Sequence, residues 1–373
     1  MTATGPRTAP DVVEVVDVVA LGESMVTFLP SRPGPLADVP SFERAIGGAE
    51  SNTACVLAAA GHPARWISAV GQDGFGDHLV RAVGEYGVDV SYVRRDPHRP
   101  TGVYFRTAGD RATDAHEVAY YRAGSAASAM TPHTVDLAAA RAARVLHLSG
   151  ITAALSAGCL DLMRELTARR PGRPLVSFDV NHRPGLWRDS AAHGPEVLLE
   201  LARGADIVFV GEDEAREAWG LRDAAAVREA LPEPEILVVK QGGRGATAYG
   251  PGGDGTGAAY TGAAVFVPSL DVDVVAAVGA GDAFAAGFLS ATLRALPVRD
   301  RLRHGHLAAA AALTTSGDLA APPARDLADR LAALDDPAWG RLRLGPGWTE
   351  TDTAGAHPDA GHADRAEEEG HTP

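Results

Sequence analysis

The stretch VGAGDAFAAGF (residues 278–288) decides how this chain is read. Three small residues, Gly279, Ala280 and Gly281, run directly into Asp282, and an apolar segment of helical character continues to about Ala295. Glycine lacks a Cβ, so its backbone N–H can come close to an anion, and a helix starting there adds the positive end of its dipole. A carboxylate at the mouth of such an anion hole can take a proton from an alcohol. Anion hole plus base is the minimum equipment for moving a phosphoryl group onto a hydroxyl. The same letters could also mark a tight turn before an alanine-rich helix, and the segments around them decide between the two.

Working outward, strand and helix patterns alternate. VDVVALG (16–22) is a short β-branched run ending in glycine, the pattern of a buried parallel strand. Similar runs recur at 65–70, 144–150, 174–180, 206–211 and 235–243, with helix-compatible segments at 50–60, 76–86, 156–169, 195–203, 212–219 and 222–230. Two more helical segments, 281–295 and 299–315, follow late in the chain. Such alternation predicts an α/β fold with a mainly parallel sheet and helices on both faces. Residues 25–46 and 101–122 break the rhythm with short extended segments and turns, which suits a small β lid that keeps water from a reaction site. Residues 1–14 and 345–373 show no periodicity and are expected to be disordered, leaving 15–340 as the folded domain.

Composition narrows the class. The 373 residues are 46% apolar, enough to bury a large core. The formal charge is −14, and the last 24 residues contribute seven acidic side chains against one arginine. No Lys/Arg cluster appears, which argues against nucleic acid as a partner. Cys55 and Cys159 lie far apart in apolar surroundings and read as buried free thiols. No leader-like segment opens the chain and no apolar run reaches the ~18 residues of a membrane span, so a cytoplasmic protein without a membrane partner is expected.

A second glycine cluster, AIGGAESNTACVLAAAGH (45–62), places Gly47 and Gly48 before an Ala-rich helix, with Ser51 or Asn52 able to cap it. Together with VGAGD, about 230 residues later, it resembles the paired signatures of the ribokinase-like (PfkB) carbohydrate kinases, over about residues 16–334. The resemblance implies a three-layer α/β/α sandwich with a small β-sheet lid, ATP and Mg²⁺ as cofactors, and Asp282 as general base with an anion hole at residues 279–282. It also implies that the di-glycine lets a sugar approach the backbone, with Asn52 beside it. In VVKQGGRGATAY (238–249) it places Lys240, Gly242 and Gly245 near the ATP. No GxxxxGK[ST] exists in the chain, so this is not a Walker A loop. GEDEA (211–215) resembles the family's NxxE element, with Glu214 acting through water on Mg²⁺. Gly211 replaces the asparagine, and an acidic run opening a helix is also favoured by the dipole alone. Ala276 stands where many relatives carry an aspartate for potassium, so the resemblance does not imply strong K⁺ activation.

The acceptor is read from residues that would face the sugar. Thr27 replaces the aspartate with which ribokinase- and fructokinase-like members hold sugar hydroxyls. GGAESN, TGVYF, YYRAGSAAS, LHLSGITAALS and FDVNHRPGLW are instead similar to segments of 2-keto-3-deoxygluconate kinases. They contain Arg122 and Arg183, and a guanidinium grips a carboxylate with two parallel N–H bonds. By resemblance both arginines face the acid end of an open-chain keto acid, Tyr104 and Tyr120 supply hydroxyls and a flat wall, and Asp318 lies near the keto/hydroxyl region. Tyr121 faces the other way. His147, His304 and His306, and Trp187, Trp219 and Trp339, read as packing residues. The expectation is transfer from ATP to the 6-hydroxyl of 2-keto-3-deoxy-D-gluconate. Fructokinase, tagatose kinase and 5-dehydro-2-deoxygluconokinase are alternatives within the family; a non-catalytic sugar or nucleotide sensor on the same fold and a dinucleotide-dependent oxidoreductase are the alternatives of other classes. A homo-oligomer through the lid is an analogy with dimeric relatives.

Overall fold

The structure, a computed structural model, describes residues 13–32, 34–107, 118–188, 193–250, 264–276, 278–315, 317 and 319–350. Its strands, in chain order, are β1 (Val16–Leu21), β2 (Met25–Pro30), β3 (Phe42–Gly47), β4 (Ala64–Gly71), β5 (Val93–Asp96), β6 (Val103–Arg106) and β7 (Val118–Tyr121). They continue with β8 (Ala143–Ser149), β9 (Leu175–Asp179), β10 (Ile207–Gly211), β11 (Ile236–Lys240), β12 (Gly245–Tyr249) and β13 (Ala264–Pro268). Nine of these form the large sheet, in the order β13-β12-β11-β10-β9-β8-β1-β4-β5. All neighbours pair parallel except β11–β12 and β12–β13.

These strands are apolar on both faces because both are covered. On β10, Ile207 and Phe209 pack toward the helices Ala49–Ala59, Ala280–Leu293, Val298–Leu313 and Arg325–Ala332, with Phe209 set edge-on to Phe288 at 5.4 Å. Val208 and Val210 point to the opposite core, closed by Ala157–Thr167, Gly194–Gly204, Glu212–Trp219 and Ala224–Ala230. The result is the expected ribokinase-like three-layer α/β/α arrangement. From β1 the chain runs outward to β4 and β5, then crosses back to β8 and on to β11, so order reverses between β1 and β8. In open α/β sheets ligands bind beyond the carboxyl ends of strands near such a reversal. Asp179 and Lys240 end β9 and β11, and Glu23 follows β1.

A second sheet of four strands, β3-β2-β6-β7, stands apart from the large one. Its alternation separates two faces. One carries Phe28, Phe42, Phe105 and Tyr121, with Phe28 and Phe105 stacked at 4.6 Å and Tyr121 edge-on to Phe105 at 5.9 Å. Tyr104 and Tyr120, cross-strand partners, occupy the other at 5.5 Å. Tyr121 thus faces away from Tyr120.

The folded part extends past its expected end at residue 340. Arg343–Leu344 pairs with Asp271–Val272, and Trp348, 8% exposed, packs into the core beside the Ala280–Leu293 helix. Burial of the indole outweighs the local Gly/Pro signal that reads as a tail. At the other end Val13 already packs against the core; residues 1–12 and 351–373 lie outside the described residues. Cys55 and Cys159 are buried and unpaired, and burial pushes their thiols up to about 12 and about 11. His147 is buried against Ser177 at 3.0 Å, and burial depresses it to about 3, so it is a neutral core histidine. Among the described residues no helix is long and apolar enough to cross a membrane.

Candidate active site

Asp282 occupies the first turn of the Ala280–Leu293 helix, whose N-cap is Gly279. Gly279 takes φ 77°, a left-handed conformation that strains any side chain, and so turns the chain from the preceding loop into the helix. The first amides of a helix have no intrahelical acceptor, so the 279–282 backbone presents free donors beside the Asp282 carboxylate. Asn52, on the Ala49–Ala59 helix, donates from Nδ2 to Asp282 Oδ2 at 2.9 Å. Withdrawal from water pushes the Asp282 carboxyl up to about 7; the carboxylates of Asp179 and Glu50 push the same way, against Asn52 and Lys240. A carboxylate titrating near neutrality is suited to proton abstraction at physiological pH.

Lys240 reaches the same place from the end of β11. Its Nζ donates to Asp179 at 2.8 and 3.1 Å, and a side chain at Gly281 would come within 3.6 Å of it. Burial opposes its charge, but Asp179, Glu214 and Asp282 outweigh that and hold its pKa above the usual lysine value. A fixed ammonium therefore stands beside the helix start. Glu214 lies on the neighbouring Glu212–Trp219 helix, where Oε2 accepts from the Gly211 N–H at 2.9 Å. Its other oxygen meets Arg183 Nη1 at 3.2 Å. The candidate Mg²⁺ residue and one candidate substrate arginine are thus partners here.

The opposite wall comes from the small sheet. Arg122, its side chain 10% exposed, forks onto Glu23: Nε donates to Oε2 at 2.7 Å, and Nη2 donates to the same oxygen. Glu23 Oε1 accepts from Ser125 Oγ at 2.5 Å. The Arg122 guanidinium also lies 5.8 Å from the centre of the Tyr120 ring. Arg183 is looser, with 52% of its side chain exposed. Gly47 closes β3 and Gly48 starts the turn into the helix. A Cβ at Gly48 would lie 2.6 Å from the Glu23 carbonyl and 2.7 Å from Ser24 Cα, so the close approach of that backbone already demands this glycine.

These walls enclose one cavity of about 420 Å³, which gathers most of the residues singled out from sequence. Gly47, Gly48, Asn52, Tyr104, Tyr120, Arg122, Arg183, Glu214, Lys240, Gly279, Gly281 and Asp282 all line it, and Ala280 sits between two of them. Gly242 and Gly245 do not line it. They shape the turn joining β11 to β12, where Gly245 takes φ 140° and a Cβ would strike the backbone of β13. Asp318 lies outside the described residues. Thr27 is buried away from the cavity, and the carboxylate this segment brings in belongs to Glu23. Sequence reasoning missed Glu23, Asp179 and Asn181. Polar residues directly following an apolar strand, as in FDVN, are the signal that could have found the last two.

Fold and site together are those of a sugar kinase. Residues 16–325 match the pattern of the pfkB family carbohydrate kinases. The chain is 33% identical over 321 residues to 2-dehydro-3-deoxygluconokinase of Thermoproteus tenax, covering 86% of this chain and 95% of that protein. It is 34% identical over 324 residues to 2-dehydro-3-deoxygluconokinase of Bacillus subtilis, covering 85% and 96%. The crystal structure of a PfkB protein from Polaromonas sp. JS666 superposes with a TM-score of 0.72 at 33% identity, covering 86% of this chain and 100% of that one. The chain belongs to the pfkB family of carbohydrate kinases.

Proposed function

We propose that this sugar kinase transfers the γ-phosphoryl group of ATP to the 6-hydroxyl of 2-keto-3-deoxy-D-gluconate. The observation that carries the reading is that the guanidiniums of Arg122 and Arg183, with that of Arg106, line the same cavity as Asp282. A neutral sugar needs no such pair, whereas a keto acid presents a carboxylate. The relatives named 2-dehydro-3-deoxygluconokinase support the same substrate. Glu23 brings a carboxylate into the cavity, which would suit a neutral sugar's hydroxyls; in this structure it is paired with Arg122 and accepts from Ser125.

In this reading Asp282 accepts the proton of the 6-hydroxyl as its oxygen attacks the γ-phosphorus. The new O–P bond forms while the bond to the β,γ-bridging oxygen breaks, and ADP leaves. The 279–282 amides and Lys240 stabilise charge on the migrating group. Tyr104, Tyr120 and the arginines hold the acid end, so the terminal hydroxyl meets the base.

Among the described residues no group of three or more His, Cys, Asp or Glu side chains could hold a metal alone. Mg²⁺ is usually held by one or two carboxylates, by phosphates and by retained waters. Glu214, already engaged by the Gly211 N–H and Arg183, would hold it through water, with Asp179 the other carboxylate nearby. When bound, Mg²⁺ supplies neutralisation of the nucleotide's β- and γ-oxygens. A coupled ADP-release assay over 2-keto-3-deoxygluconate, 5-dehydro-2-deoxygluconate, fructose and tagatose tests the assignment. The keto-deoxy acid is expected to give the highest kcat/KM, and a higher value on fructose or tagatose overturns it.

A further inference from the structure

Arg122 and Arg183 also line a second cavity, of about 850 Å³ against about 420 Å³ for the first. Tyr120 and Ile151 are the other residues the two share. Their chemistry differs. The first cavity holds Glu23, Asp179, Glu214 and Asp282. The second is bounded by the loop after β7 and by residues from 151–160 and 183–186, and no carboxylate lines it among the described residues. Ile151, Ala154, Leu155, Leu160, Pro184 and Leu186 give it apolar walls, and Arg122 and Arg183 are the only charged side chains among its described lining.

The two guanidiniums stand on the boundary. Their carboxylate partners, Glu23 and Glu214, line the first cavity and not the second. Arg183 has 52% of its side chain exposed, and its bonds to Glu214 and to the His182 carbonyl both come from Nη1. The Ala157–Thr167 helix opens at the second cavity, where Ser156 and Ala157 line it, so its dipole adds to the positive side. A cavity of this size takes up a small organic molecule. Apolar walls favour a hydrocarbon body, and a guanidinium forks onto a carboxylate. A cation would meet two like charges, and a sugar would leave hydroxyls unpaired against aliphatic side chains.

We propose that this cavity is a second ligand site, which takes a monocarboxylate with an aliphatic body, its head on Arg183 and Arg122 and its chain against Ala154, Leu155 and Leu186. Because the same guanidiniums line the catalytic cavity, such an acid competes with the sugar acid and not with ATP. That consequence, unlike the site itself, rests on the function proposed above. Octanoate is the probe, with octylammonium and octanol as controls for charge, titrated calorimetrically into the full-length enzyme without sugar or nucleotide. Octanoate is expected to bind at one site, about tenfold more tightly than either control, the scale of a charge-assisted hydrogen bond. In the ADP-release assay it should raise KM for the keto acid and leave KM for ATP unchanged.

Two variants locate the probe. Ala157→Glu sets a carboxylate at the edge of the cavity, on an exposed position in the first turn of a helix, where an acidic residue suits the fold. Ala154→Phe fills part of the volume. Each should weaken octanoate while kcat and KM for the keto acid hold, and if Ala154→Phe loses stability the Ala157→Glu result decides. No octanoate binding, equal binding of octylammonium or octanol, or octanoate binding that neither variant weakens overturns the proposal. If the enzyme proves to take a different sugar, the substrate assignment fails on its own, and the titration still decides the site because it contains no sugar.

Discussion

The two ends of the cavity are built by opposite electrostatic means. At the helix end, Asp282 is crowded by Asp179 and Glu50 and withdrawn from water, so its charge is opposed and its pKa rises to about 7. At the small-sheet end, the Arg122 guanidinium is matched by the Glu23 carboxylate. One end stores a proton acceptor near its balance point; the other holds a cation in fixed orientation. In the proposed reaction the base has to change its charge during turnover, whereas the anchor for the carboxylate has to keep it.

The largest expected effect tests the first end. Asp282→Asn should lower kcat by roughly 10²–10⁴ if the base contributes as general bases usually do. Near-normal turnover in this variant would remove Asp282 from the chemistry. Wild-type kcat should fall tenfold per pH unit below about 7, as the carboxyl becomes protonated. Stability should move in the opposite sense. The folded state holds a proton on Asp282 between the ordinary value of 3.8 and about 7, so this group costs stability as pH rises through that window. Asp282→Asn should therefore raise Tm at pH 8, and the gain should vanish below about pH 4. A Tm gain that persists unchanged at low pH would mean that burial is not what sets the pKa.

The second end is tested by Arg122→Ala, expected to raise KM for the keto acid by roughly 10–100-fold, the range of a lost charged hydrogen bond. KM for ATP should barely change, and equal effects on both would dissolve the contrast between the ends. Glu23→Gln should act in the same direction but less, at about threefold to tenfold, since the guanidinium remains and only its ionic orientation is lost. Rescue by Glu23→Asp with Tm unchanged would separate positioning from mere packing.

The effect without a consequence for the reaction comes from the core beneath the site. His147 is depressed to about 3 in the fold, so the unfolded chain binds the extra proton between roughly pH 6.5 and 3. Stability is lost as pH falls through that window, at up to about 1.4 kcal/mol per pH unit from this residue. His147→Gln should flatten that part of the stability profile measured by urea unfolding. An unaltered slope would assign acid sensitivity elsewhere, with His306, depressed to about 4, the next candidate.

Elements were legible where the information is local. Strand positions at 16–21, 207–211 and 236–240 follow from β-branched runs, and the start of the Ala280–Leu293 helix follows from small residues before an aspartate. Gly279 needed no tertiary context, since its left-handed turn is what a glycine there is for. The turn at Gly242 and Gly245 was legible as glycine-rich, but such a turn looks the same in sequence whether it cradles a phosphate or lets strands pack closely. Trp348 misled because one buried indole is invisible in a window of Gly, Pro and Thr.

By itself the sequence determined the alternation of strand and helix and the aspartate at the start of a helix, because propensity, periodicity and glycine conformation act over a few residues. Tertiary structure alone decided the partners: Arg122 with Glu23, Arg183 with Glu214, Lys240 with Asp179, and Asn52 with Asp282, 230 positions away. Charges pair through space, and which strand ends meet at the carboxyl edge of a sheet is set by strand order. That order is a property of the whole fold, absent from any one segment.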